Sequence, residues 1–427
     1  MTDPEGETVG HNLDRLFDLQ KYPFTALEVS PSVDEEEVAQ IFVRINSMGT
    51  PLNQADFILT LMSVFWDDGR KQLEGWCREA RTPSVRGPSP FNYFIEPDPD
   101  QFLRVSVALG FRRAVLKHVY SILRGKDLET GEFAPQRRDE QFGILKQAQD
   151  YVLDIQHWHE FLKCLLRAGY RSKGMVTSFT GLLYSYSLFL IGKRDYELDP
   201  TTLRDVVARW FFMTSLTGRY STSPESAIEQ DLSRLREIRT KDEFVSLLDG
   251  IGATTFTEDY WAITLPTELA TSASRSPALY AYNAALNLLD ARVLFSQVRV
   301  SELLDPGLKA TKSPIERHHL FPTGYLEKQG IIERRLTDQI ANFAFIEWEE
   351  NINVSDSPPK KYAPVLSSRF DESELEKFSY WHPLPDGWVD MEYGEFLQAR
   401  RPLIARVIRD GFAKLATTRG PARGRSA

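Results

Sequence analysis

Apolar positions along this chain recur mostly at helical spacing. Val38, Ile41, Phe42 and Ile45 share one face of a helix predicted over 34–46, which Asp34 and Glu37 open at capping-box spacing. Ser47-Met48-Gly49 ends it, and Phe57, Ile58, Leu61, Met62 and Phe65 mark a second helix after Pro51. Together they predict a helix hairpin. Five prolines between 83 and 99 predict a loop or a boundary. A stripe from Ile144 and Leu145 through Val152, Ile155, Trp158 and Phe161 to Leu165 predicts one long helix over 141–168. Leu203, Val206, Val207, Trp210 and Phe211 predict another. Ser223 and Pro224 supply the cap and first turn of a further one. The stretch 254–276, rich in Thr, Ser and Ala, reads as a connection, and a helix is predicted over 277–292.

The texture then changes. From 313 to 366 the apolar runs are short, and His and Asn concentrate. Ile315, Leu320 and Phe321 suggest a short strand ended by Pro322, and Phe343–Ile346 reads as its antiparallel partner. The expected fold is mainly α: a helical body with a small C-terminal module of two strands and a helix.

Residues 174–192 carry no charge and are long enough to test as a membrane span. Five Ser/Thr and three Gly within them favour a buried core helix, and no membrane partner is expected. With 427 residues, two or three domains are the expectation. The two cysteines, Cys77 and Cys164, exclude a disulfide framework and a four-cysteine zinc knuckle, and favour a reducing, cytoplasmic setting. The opening residues lack the basic and apolar regions of a signal peptide.

The net charge of −9 argues against a general nucleic-acid coat, but it is uneven. Residues 1–37 carry ten acids against two bases, whereas 309–335 carry six bases against three acids. Residues 400–427 carry eight bases against one acid, and the last eleven read as a solvated basic tail. Local basic surface over 309–335, with Arg400, Arg401, Arg406 and Arg409, is the expected seat of DNA phosphates.

The stretch 315–322, IERHHLFP, carries the most chemistry. Asn342 follows His319 by 23 residues, Asn351 by 32, and Asn353 comes just after. The order His-His, Asn, Asn is the layout of an HNH, or ββα-metal, nuclease site. A histidine can take a proton from water at neutral pH, because its ordinary pKa is about 6.5. A divalent ion can stabilise the charge developing on the leaving oxygen, and imidazole and amide oxygen are acceptable ligands for it. An asparagine bracing the two strands can fix which ring nitrogen acts. The bland reading is two edge-strand histidines with turn asparagines. His157 and His159 lie two apart on a helix and cannot face one metal, and His11, His118 and His382 are isolated.

The segment from ERHHLFPTGYLEKQGI to RRLTDQIANFAFIEWEENINVSDSPPKKY resembles the C-terminal HNH domain of GmrSD-type restriction endonucleases. The earlier EEVAQIFVRINSMGTPLNQADFILTLMS resembles the closing part of that family's ParB-like domain. The resemblance implies a remnant ParB-like domain at 1–70, connecting helices at 71–270, an HNH nuclease domain at 271–412 and a basic, disordered tail at 413–427. It implies a metal-dependent DNA endonuclease that defends against foreign, often modified, DNA. His319 takes the general-base position and Asn342 the orienting one. His318 and Asn351 take the metal-ligand positions, with Asn353 as fallback, for Mg²⁺ or Mn²⁺. Glu316 is close enough in sequence to lie behind the ligands.

The family's opening Asp-Gly-Gln-Gln-Arg box is not in this chain, which keeps Arg44, Asn46, Gly49 and Pro51 of the closing element. A truncated sensor domain, or a separately encoded ParB-like partner chain, is therefore expected, and nucleotide binding by this chain is not. The rivals are a non-catalytic helical regulator or scaffold with a vestigial nuclease module, and a nuclease acting on RNA.

Overall fold

The computed structural model describes residues 4–23, 53–126, 133–307, 315–347 and 356–416, with isolated positions 26, 28–30, 33, 41 and 130. The side chains of 4–7 and 315–317 are not among what it describes. The first half of the predicted hairpin, 34–46, and Arg44, Asn46, Gly49 and Pro51 lie outside the described residues, apart from Ile41. So do Asn351, Asn353 and residues 417–427.

The chain divides into two compact units, Met1–Asn53 and Gln54–Ala427. The first contains helix α1, Pro4–Asp18, which the sequence reading passed over. Its apolar positions Val9, Leu13, Leu16 and Phe17 fall at helical spacing and are exposed.

The second unit is mainly helical. It opens with α2 (Gln54–Phe65), which buries Ile58, Leu61 and Met62 as its stripe predicts, and α3 (Asp67–Glu79). The proline-rich stretch that follows is irregular but pinned. Trp158 Nε1 donates to the Pro90 carbonyl at 3.0 Å, and Asn92 Oδ1 accepts from the Phe94 and Ile95 amides. Then come α4 (Pro99–Phe111), with proline at its first turn, and α5 (Leu116–Leu123).

The long helix predicted over 141–168 is two helices, α6 (Pro135–Val152) and α7 (Ile155–Arg167). Asp154 makes the break: its carboxylate accepts the His157 amide at 2.9 Å and starts a new helix inside a continuous apolar stripe. Trp76, Phe102, Trp158, Phe161 and Tyr186 meet here, with the Trp76 and Phe102 rings 4.4 Å apart.

Tyr186 belongs to α8 (Phe179–Arg194), whose residues 181–192 are all buried. Among the described residues no helix is long and apolar enough to cross a membrane. Next is α9 (Pro200–Thr217), capped by Asp199, which accepts from the Thr201 and Thr202 amides. Then follow α10 (Pro224–Arg234) and α11 (Lys241–Thr255). Ser223, expected to cap α10, has φ 50° and makes no side-chain cap bond. The stretch 254–276 is not a bare connection. It holds a π-turn at Tyr260–Thr264 and α12 (Leu265–Glu268), with Trp261, Leu265 and Leu269 buried.

Helix α13 (Pro277–Leu288) is held by two glycines. A Cβ on Gly169 would meet the Ala284 carbonyl oxygen at 2.3 Å, and one on Gly411 would meet Ala285 Cβ at 2.6 Å. Asn287 Nδ2 also donates to the Gly169 carbonyl at 2.6 Å. These contacts pack α13 against the turn at Gly169 and the chain at Gly411, ahead of the small C-terminal module.

That module follows α14 (Val300–Leu303). It contains β1 (Ile315–His319), the short helices α15 (Thr323–Glu327) and α16 (Arg334–Thr337), and β2 (Phe343–Glu347). Beyond these lie α17 (Pro359–Ser367), α18 (Glu372–Trp381) and the long α19 (Tyr393–Ala416). The strands pair antiparallel, with His318 opposite Ala344 and His319 opposite Phe343. Among the described residues this is the one sheet.

Candidate functional site

Side chains alternate across a strand, so neighbours in β1 face opposite ways. His318 is buried at 3% exposure, its ring edge-on to Tyr362 of α17 with centroids 5.6 Å apart. Tyr362 donates to the Leu320 carbonyl at 2.6 Å and so ties α17 to the end of β1. Burial pushes the Tyr362 phenol well above its ordinary pKa, which keeps it a neutral donor.

His319 turns the other way. Its ring packs on Phe343 at 4.5 Å, and its Nε2 lies 2.8 Å from Oδ1 of Asp338. The imidazole is partly exposed, and among the described residues its Nδ1 makes no hydrogen bond. An acceptor carboxylate at Nε2 selects the tautomer that carries its proton there and leaves a lone pair on Nδ1.

Asn342 is fully buried. Its Oδ1 accepts the Phe321 amide at 2.8 Å, and its Nδ2 donates to the carbonyls of Phe321 at 3.1 Å and Thr337 at 3.0 Å. Its own carbonyl accepts the Leu320 amide at 2.8 Å. The side chain thus continues the strand pairing past the last residue of β1. It joins three segments: the exit of β1, the residues before Asp338 and the entry to β2.

Tyr393 of α19 holds the same corner, its hydroxyl donating to the Leu336 carbonyl at 2.7 Å. Beside it, the Arg401 guanidinium reaches the Gln339 side chain at 3.3 Å, next to Asp338. Burial lowers the Arg401 pKa, though a guanidinium stays charged at neutral pH.

Of the sequence-predicted set, His319 and Asn342 are thus brought to one corner. His318 faces the opposite side of β1, so the expected base and the expected metal-ligand histidine do not share one face. Among the described residues no three His, Cys, Asp or Glu side chains are grouped to hold a metal.

Asp338 was missed. The signal for it was a carboxylate four positions before Asn342, on the segment that returns the chain to His319. The expected arginine surface is also corrected. Arg400 is fully buried and donates to the carbonyls of Pro383 at 2.9 Å, Ala341 at 2.7 Å and His382 at 2.9 Å. Arg409 is paired with Glu258. Arg334, Arg406 and Lys361 are exposed.

Two of the other histidines, His157 and His382, serve structure. His157 sits in the first turn of α7, with Nδ1 3.1 Å from the Tyr151 carbonyl. His382 is fully buried, with Nε2 2.8 Å from the Arg292 carbonyl. Both cysteines are buried and free, and burial pushes the Cys77 thiol up to about 12, which makes it an unreactive core residue at neutral pH.

No family model matches this chain, and no curated protein or solved structure matches it either.

Proposed function

We propose that this chain is a phosphodiester hydrolase of the HNH type acting on DNA, with His319 as general base and Asp338 as the residue that positions it. The observation that carries the reading is the 2.8 Å contact between His319 Nε2 and Asp338 Oδ1 at a strand end braced by Asn342. Asp338 holds the proton on Nε2. Nδ1 is then free to take a proton from a water that attacks phosphorus, while the bond from phosphorus to the leaving oxygen breaks.

The antiparallel strand pair with His-His on its first strand and α17 after its second supports the reading, as does the resemblance to GmrSD-type nucleases. A divalent ion would supply charge stabilisation for the leaving oxygen. The family pattern gives that ion to His318 and Asn351, with Asn353 as fallback, but a buried His318 on the opposite face of β1 does not fit an ion beside His319, so the reading rests on His319 and Asp338. Arg401, beside the dyad, and the exposed Arg334 and Arg406 suit phosphate contacts. Defence against foreign DNA, and a separately encoded ParB-like partner, follow from the resemblance alone.

The test is incubation of purified protein with plain and modified plasmid, with Mg²⁺, Mn²⁺ or chelator. Nicking or linearisation that needs metal and is lost in His319→Ala supports the proposal. No cleavage of any substrate under any of these conditions overturns it, and favours the reading of a non-catalytic helical scaffold. The burial of His318 is the one observation that favours that second reading.

A further inference from the structure

On the α15 side of β1 lies a cavity of about 320 Å³ that no role described above uses. Its aromatic lining is Phe321, Tyr325 and Tyr393, with Met391 beside them. Phe321 and Tyr393 stand 5.5 Å apart, and Phe321 and Tyr325 stand 6.4 Å apart. Lys360 and Lys361 of α17 stand at its rim, both exposed, and Lys360 is paired with Asp390.

Two of its lining residues are tied to the dyad's corner. Phe321 follows His319 by two residues, and Asn342 holds both its amide and its carbonyl. Tyr393 holds the carbonyl of Leu336, two residues before Asp338.

We propose that this pocket takes an unstacked nucleobase of the nucleic-acid strand presented to His319. The inference rests on the nuclease reading for its substrate class. An aromatic, apolar interior next to cationic side chains is the pattern that binds a base by its π-face and the neighbouring phosphate by charge. Glu392 also lines the cavity, which disfavours a phosphate inside it. A carboxylate there repels a phosphate but accepts a hydrogen bond from an exocyclic amino group. The base therefore enters the pocket, and the phosphate stays with Lys361, outside it. Tyr325 is the side chain best placed to read the base, because it is half-exposed and steadied by Gln329 Nε2 at 2.7 Å from its hydroxyl.

The test is equilibrium binding in chelator, so that nothing is cut. Fluorescence anisotropy compares the full-length protein on a labelled short single-stranded DNA and on the same strand made abasic throughout. The base-bearing strand should bind roughly tenfold tighter, from stacking of one base. Tyr325→Ala should remove most of that difference, and Tyr325→Phe should keep it. Equal affinity of wild-type protein for the two strands overturns the pocket, whatever the variants do. Plasmid cleavage is scored separately, so an active nuclease with no base preference loses only this inference. A protein that prefers bases but never cuts loses the nuclease reading instead.

Discussion

His319 Nε2 and Asp338 Oδ1 lie 2.8 Å apart although 19 residues separate them in the chain. The contact exists because β2 returns antiparallel to β1, and because Asn342 fastens the segment carrying Asp338 to the end of β1. Two mutations of the pair should therefore not add. His319→Ala should lower cleavage roughly 10²–10⁴-fold, the range of a lost general base. Asp338→Asn should lower it by a smaller factor, about 10–100-fold, as loss of an orienting partner does. In the His319→Ala background the Asp338 change should have no further effect on rate. Single-turnover cleavage rates of the four proteins check this, and full additivity would mean that Asp338 acts elsewhere.

Asn342 separates orientation from stability. Its amide satisfies the amide and carbonyl of Phe321 and the carbonyl of Thr337, all buried around it. Asn342→Ala should cost on the order of 3 kcal/mol, because backbone groups that lose partners in the core keep their desolvation penalty. Half-exposed His319, changed to alanine, should cost well under that. Urea unfolding of both variants is the measurement. A folded, stable, inactive Asn342→Ala would mean that the asparagine acts on substrate rather than on the strands.

Arg400 and Arg401 are neighbours with opposite duties. Arg400 satisfies three carbonyls inside the fold, whereas Arg401 lies half-buried beside the dyad. Arg400→Met should destabilise by several kcal/mol, because three buried carbonyls lose their donor together. Arg401→Ala should leave stability nearly unchanged and lower the salt slope of DNA affinity by about 1, as one lost phosphate contact does. Anisotropy titrations across a salt series, with thermal melts of the same proteins, distinguish the two. An unchanged slope for Arg401→Ala would remove it from the DNA surface.

The helical body was legible because apolar side chains at a period of 3.6 must share a buried face. Leu203, Val206, Val207, Trp210 and Phe211, and Ile58, Leu61 and Met62, are buried as that rule requires. The same rule hid the break at Asp154, because the stripe of α6 runs on in phase into α7 and only a cap interrupts it. At the site, the strand pair could be read from the short apolar runs, and the orienting place of Asn342 comes from the resemblance. The facing of His318 away from His319 follows from strand alternation, which applied as soon as 315–319 read as a strand. Asp338 and the burial of Arg400 depend on contacts between distant segments. No local pattern reports that a corner of the backbone near Ala341, His382 and Pro383 needs a donor.

That corner also sets a dependence on pH. His382 is fully buried with its Nε2 on the Arg292 carbonyl, and burial lowers its pKa to about 4, with the Arg400 charge acting in the same direction. Unfolded, the imidazole titrates near its ordinary value of about 6.5. Between these values the unfolded chain binds a proton that the folded one does not, so stability rises with pH across this window. The contribution of His382 is complete above about 6.5 and is lost progressively as pH falls towards 4. At about 1.4 kcal/mol per pH unit, the loss sums to about 3 kcal/mol. His382→Gln keeps a donor for the Arg292 carbonyl but cannot titrate. It should flatten the curve of unfolding free energy against pH between 4 and 6.5, measured by urea denaturation, while leaving carboxylate effects at lower pH in place. If wild-type and His382→Gln curves run parallel through that window, His382 does not enter the folded protein as a neutral ring.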